Sequence, residues 1–115
     1  MANILILGAG SMGTAFSFPC SDKNHSVSII GTHLENDFID LINSKKTHPI
    51  LNCDVPKNVK FFKFEKLGEE IGKKIDLIVV AVISKGIEWA SKELSKFLNN
   101  NIPILILTKG LAINN

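Results

Sequence analysis

The sequence predicts an α/β fold, a doubly wound parallel sheet with helices on both faces. Three observations carry that reading. Short, continuously apolar runs alternate with segments whose apolar residues recur at helical spacing, an order that implies parallel strands joined by helical crossovers. The first apolar run ends in glycine and opens directly into a helical segment. The run Asp76 to Val82, centred on Leu77-Ile78-Val79-Val80, reads as a strand covered on both faces. A length of 115 residues suits a single domain, 1–115, and 45% hydrophobic with 21% charged residues marks an ordinary globular chain.

The elements follow in order. Asn3 to Leu7 is the first strand, and Gly8 ends it. A helix begins near Ser11 and is expected to bury Met12, Ala15 and Phe16, with Pro19 ending or kinking it. Ser26 to Ile30 is the second strand, closed by Gly31. A second helix is expected from about Leu34 to Lys45, with Leu34, Phe38, Leu41 and Ile42 at helical spacing. Thr32-His33-Leu34-Glu35 fits a capping box in which Thr32 caps the first turn and Glu35 reaches back.

Thr47 to Asn58, with Pro49 and Pro56, reads as a loop. Val59 to Phe62 is a short third strand, and Leu67 to Gly72 one or two helical turns. Asp76 to Val82 is the fourth strand. A helix from Lys85 to Leu98 places Ile87, Ala90, Leu94 and Phe97 on one side, and Ile104 to Leu107 is the fifth strand. Right-handed crossovers give the strand order 3-2-1-4-5. The direction then reverses between the first and fourth strands and opens a crevice at the carboxyl ends. Three loops should border it: Gly8 to Gly13, Ile83 to Gly86, and Thr108 to Gly110.

Composition excludes several classes. Thirteen basic and eleven acidic residues leave a net charge of +2, too balanced to point to nucleic acid or an anionic membrane. Every basic residue is lysine, so no bidentate arginine clamp for phosphate exists in this chain. Cys20 and Cys53 are too few for a disulfide scaffold, and His25, His33 and His48 match no metal-ligand spacing. The apolar run Ile4-Leu5-Ile6-Leu7 lacks a preceding basic region, and no run nears the roughly 20 residues of a membrane helix. The expectation is a cytoplasmic protein with no metal, membrane or nucleic-acid partner.

Gly8-Ala9-Gly10-Ser11-Met12-Gly13 matches G-x-G-x-x-G. Its position between a strand and a helix in the first βαβ unit gives the pattern weight as a dinucleotide-binding, Rossmann-like loop. Gly8 permits the tight turn, Gly10 removes a Cβ that would block a pyrophosphate, and Gly13 lets the helix pack close. The N–H groups of Ser11 and Met12 would face the pyrophosphate, helped by the helix dipole. Packing alone is the competing reading of the three glycines.

The acidic residue that usually ends the second strand and holds the adenosine ribose is missing; Gly31-Thr32-His33 stands there. Its absence, with Thr32 at a helix N-terminus and His33 beside it, leaves NADP open or even preferred over NAD as cofactor, and Glu35 weighs against NADP unless the capping box occupies it. Thr32 is either a ribose-side contact or a plain helix cap. His33 is either a contact or an exposed surface residue.

ILGAGSMGTA, IIGTH, VVAVIS and LTKGL together resemble the N-terminal part of NAD(P)-dependent glycerol-3-phosphate dehydrogenases. KKTHPILNCDVP and Pro19 resemble archaeal members in particular. The resemblance covers the whole chain, and its most specific part is T-K-G after the fifth strand. It implies a two-domain enzyme that interconverts dihydroxyacetone phosphate and sn-glycerol 3-phosphate with NADH or NADPH. Cofactor contacts carry over to Gly8, Gly10, Ser11, Met12 and Gly13. Thr32 falls at the adenosine ribose, and Lys109 falls on the lysine that meets both cofactor and substrate.

Lys109 also makes sense from its place. An ammonium at a strand's carboxyl end beside the crevice can hydrogen-bond the substrate oxygen as charge develops, and can orient the carbonyl. The other reading is a solvated surface lysine. Lys85 reads first as an exposed lysine in a helix's first turn and second as a minor candidate for anion contact, Ser84 as a cap, and Trp89 as packing. Ile83 and Ile87 stand where the family often has proline and an aromatic residue, which removes an expected aromatic contact.

Family members are far longer. The resemblance therefore implies a truncated sheet, a separate C-terminal domain holding the proton donor and the phosphate grip, and no catalysis by this chain alone. A homodimer is one assembly it allows for the full-length enzyme, and an incomplete sheet edge would favour self-association. Two other functions fit the same fold: a non-catalytic dinucleotide-binding module, and the cofactor domain of a ketopantoate reductase or a 6-phosphogluconate-type dehydrogenase.

Overall fold

The computed structural model describes residues 1–97 and 102–107. The chain runs β1 (Asn3–Leu7), α1 (Ser11–Asp22), β2 (Ser26–Ile30), α2 (Asn36–Lys45), β3 (Thr47–His48), β4 (Cys53–Asp54), β5 (Val59–Phe62), α3 (Leu67–Ile71), β6 (Leu77–Ala81), α4 (Ile87–Ser95) and β7 (Ile104–Leu107). Five strands form one parallel sheet in the order β5-β2-β1-β6-β7. Counted over the five long strands, that is the expected 3-2-1-4-5. The switch point lies between β1 and β6, where Gly8 and Val82 leave the sheet side by side.

Helices on both faces explain the unbroken apolar strands. Leu5, Ile6, Leu7, Ile78 and Val79 have no exposed surface. Alternate residues go to opposite layers. Ile4 and Ile6 pack with Ile29, Phe61, Ile39 and Ile42. Leu5 and Leu7 pack with Val80, Leu67, Ala90 and Leu94. Each such side chain contributes roughly 1.5–3 kcal/mol on burial, so β1 and β6 anchor the loops that follow them.

α1 departs from its expected pattern. It buries Gly13, Thr14, Ser17 and Ser21, whereas Ala15 is exposed and Met12 and Phe16 are half-buried. Close approach to the sheet demands small residues, and their hydroxyls find local partners: Thr14 and Ser17 donate to the carbonyls of Ala9 and Thr14. The helix runs through Pro19 to Asp22. Pro19 has no N–H to donate to the Ala15 carbonyl, and both residues are exposed, so the lost hydrogen bond costs less there.

Other boundaries shift for identifiable reasons. α2 starts at Asn36, so Leu34 precedes the helix and is 84% exposed; Ile39 and Ile42 are its buried residues. Within the expected loop 47–58, Thr47–His48 and Cys53–Asp54 pair as a small antiparallel hairpin. The segment expected as one helix from Lys85 begins as a 3-10 turn, Ser84–Gly86, before α4. α4 buries Ala90 and Leu94, but Phe97 lies beyond its end and is exposed. On β7, Ile104, Leu105 and Ile106 are exposed, and among the described residues β7 pairs only with β6.

Asn58 ties the far ends of α1 and β5 together. Its amide nitrogen donates to the carbonyls of Ser21 (3.2 Å) and His25 (2.8 Å), and its Oδ1 accepts from the Ser21 hydroxyl. Asn58→Ala should therefore lower the unfolding free energy by about 1–3 kcal/mol, measured by urea denaturation. An unchanged midpoint would refute this tie.

Candidate functional site

An apolar crevice of about 500 Å³ opens at the switch point. Gly8, Gly10, Thr32, His33, Ile83 and Trp89 line it. Two of the three expected loops thus meet. Thr108 to Gly110, and Lys109 with it, lie outside the described residues.

The three glycines of the loop serve different ends. Gly8 has φ +118°, and a Cβ there would lie 2.2 Å from the Ala81 carbonyl oxygen. A Cβ on Gly13 would lie 2.6 Å from the Gly8 carbonyl oxygen and 3.0 Å from the Ala81 Cβ. Both are required by the approach of β1, α1 and β6. Gly10 is in ordinary extended backbone, φ −69° and ψ −178°, and a Cβ there would meet nothing within 4 Å. Among the described residues nothing requires glycine at that position, and Gly10 lines the crevice.

α1 begins at Ser11, with Gly10 as its cap residue and no side-chain cap. The N–H groups of Ser11 and Met12 find no acceptor among the described residues, and the first turn holds no carboxylate. Unpaired donors and the positive end of the helix dipole suit an anion. The Met12 side chain itself packs against the core. Gly13 is buried and acts through packing.

Ala9, fully buried, is held on both sides. Its N–H donates to Glu35 Oε1 (3.1 Å), and its carbonyl accepts from His48 Nε2 (3.0 Å) and Thr14 Oγ1 (3.3 Å). Glu35 Oε1 also accepts from the Thr32 N–H at 2.8 Å, the expected reach-back. Thr32 does not cap the helix: its hydroxyl accepts from Leu34 N–H (3.3 Å), a local turn before α2 starts.

His33 stands over Trp89 with ring centroids 4.8 Å apart, and Trp89 lies 5.2 Å from Phe64. Trp89 is therefore both packed and part of the crevice wall, as is the exposed Lys85. The sequence marks Trp89 as packing, and it marks neither His48 nor the bond from Glu35 to Ala9. Helical spacing from the strand end could have placed Trp89 near the crevice. No local signal marks His48, which lies 39 residues from Ala9 in a proline-containing loop.

A parallel α/β sheet whose glycine loop opens onto an apolar crevice at the switch point defines the Rossmann-like class of domain. Within that class, the family model described as NAD-dependent glycerol-3-phosphate dehydrogenase N-terminus matches residues 3–115, and the chain belongs to that family. A glycerol-3-phosphate dehydrogenase [NAD(P)+] of Exiguobacterium is 35% identical over 112 residues, covering 96% of this chain and 32% of the relative. An NADP(+)-dependent glycerol-3-phosphate dehydrogenase of the archaeon Archaeoglobus fulgidus is 29% identical over 94% of this chain and 31% of the relative. The crystal structure of glycerol-3-phosphate dehydrogenase from Coxiella burnetii shares the fold, with a TM-score of 0.84 at 24% identity over 96% of this chain and 33% of that one. The chain spans about a third of the length of the curated relatives it matches.

Proposed function

We propose that residues 1–115 form the NAD(P)-binding domain of an oxidoreductase that interconverts dihydroxyacetone phosphate and sn-glycerol 3-phosphate by hydride transfer. Family membership supports the reaction. The observation that carries dinucleotide binding is Gly10, whose missing side chain leaves the crevice open where packing would tolerate one.

The residues present fit the cofactor. Gly8 and Gly13 shape the loop, Gly10 admits the diphosphate, and the N–H groups of Ser11 and Met12 receive it. Thr32 and His33 border the adenosine end, with Trp89 packed against the His33 ring. The chain has no arginine, and among the described residues these N–H groups and Lys85 are the anion partners that border the crevice. Glu35 lines the crevice with Oε1 held by two backbone N–H groups, and the same wall offers Thr32 and His33, so both NAD and NADP are to be compared as cofactor. Bound there, the nicotinamide supplies or accepts the hydride. Lys109, which follows β7 by two residues in the sequence, would orient the substrate oxygen and stabilise its charge. A further domain supplies the proton donor and the substrate-phosphate contacts. Cys20 and Cys53 are free thiols, which suits a cytoplasmic setting.

NADH and NADPH should each be titrated against this chain, with Trp89 fluorescence and calorimetry as readouts. Saturable one-to-one binding is expected, with no dihydroxyacetone phosphate reduction by the 115-residue chain. A folded chain that binds neither would sink the reading. In a longer protein carrying this sequence, reduction should be measurable, and Lys109→Met should lower kcat by about a hundredfold or more. Unaltered kcat would remove Lys109 from the mechanism.

A further inference from the structure

We propose that His48, from the hairpin β3–β4, is a positioning residue for the dinucleotide diphosphate, acting through the Ala9 carbonyl. This rests on the dinucleotide reading above and adds a residue from outside the first βαβ unit to that site.

The imidazole is fully buried, and its two nitrogens have different jobs. Nδ1 lies 3.2 Å from the backbone nitrogens of both Ile50 and Leu51, which can only donate. Nδ1 is therefore an acceptor and carries no proton. The neutral ring then has its proton on Nε2, which donates to the Ala9 carbonyl at 3.0 Å. Phe38 packs edge-on against the ring, with centroids 5.2 Å apart. Both nitrogens are used, and the tautomer is set by the hairpin turn.

The consequence follows from peptide geometry. The Ala9 carbonyl and the Gly10 N–H belong to one trans peptide plane and point in opposite directions. Holding the carbonyl toward the buried His48 turns the Gly10 N–H the other way. Glu35 fixes the preceding plane through the Ala9 N–H. Thr14, the carbonyl's other partner, sits on the helix that the loop itself opens, so it moves with the loop. His48 anchors the loop to a separate element. The ring is not part of the crevice wall, so it acts on the ligand only through the loop.

Two variants divide the roles of the ring. Asparagine carries an acceptor near the Nδ1 position and no donor near Nε2; glutamine carries a donor near Nε2. His48→Asn should keep the hairpin turn and weaken NADH binding by about tenfold. His48→Gln should restore NADH affinity to within a few fold of wild type, even if the hairpin loosens and Tm falls.

NADH affinity and Tm are measured for all three proteins, with imidazole ¹⁵N spectra of the wild type. Wild-type affinity in His48→Asn overturns the proposal. Affinity losses that follow Tm in both variants also overturn it, because that is what a merely structural role predicts. A wild-type spectrum with the proton on Nδ1 does so without any variant. A wild-type chain that binds no NADH fails at the underlying reading, and is recognised before any variant is compared.

Discussion

Gly10→Ala should weaken NADH and NADPH binding by roughly ten- to a hundredfold while leaving the fold intact. The backbone at Gly10 is extended and compatible with any residue, and the added methyl meets no atom of the described residues within 4 Å. The substitution also restricts the unfolded chain, so stability should hold or rise by about 0.4–1 kcal/mol. The methyl projects into the crevice and would hold a diphosphate away from the first turn of α1. Losing one or two charge-assisted bonds accounts for the affinity change. Calorimetric titration beside thermal unfolding makes the check. A variant that keeps full affinity would mean that the ligand does not approach Gly10, and the proposed site would fall with it.

Gly8→Ala should do the reverse, destabilising the protein by about 3 kcal/mol or more before any ligand is added. Two penalties coincide. A φ of +118° lies outside what an L residue accepts, and the new Cβ would enter the Ala81 carbonyl. Relief requires β1 and β6 to separate at the switch point, where Gly8 N–H also donates to the Ile30 carbonyl at 2.8 Å. Against a total stability of roughly 5–15 kcal/mol, that is a large fraction. Urea denaturation should show a clearly lowered midpoint, and one matching wild type would contradict the geometry. The contrast between Gly8 and Gly10 tests more than either alone, because the two lie two residues apart in one motif.

Much of the fold was legible because its signals are local. The apolar runs Asn3–Leu7 and Leu77–Ala81 and the strand order follow from burial on both faces and right-handed crossovers. Reading failed where tertiary contact overrode local pattern. Leu34 has the spacing of a helix face, but the turn built by Thr32 and Glu35 delays α2 to Asn36 and leaves Leu34 in solvent. Ala15 looked like a core residue, but close packing of α1 on the sheet selected glycine and hydroxyl side chains instead.

By itself, the sequence determined a parallel α/β sheet with a glycine loop at its switch point, since periodicity and glycine spacing act over a few residues. Which glycine serves packing and which serves the crevice was decided only by what lies across from each, the Ala81 carbonyl for Gly8 and open space for Gly10. The same holds for His48 and Glu35. Their hold on Ala9 spans 39 and 26 residues, and only the sheet topology brings those ends together. A side-chain hydrogen bond to backbone needs an atom in place within about 3 Å, and no local pattern in the chain encodes a distance across the fold.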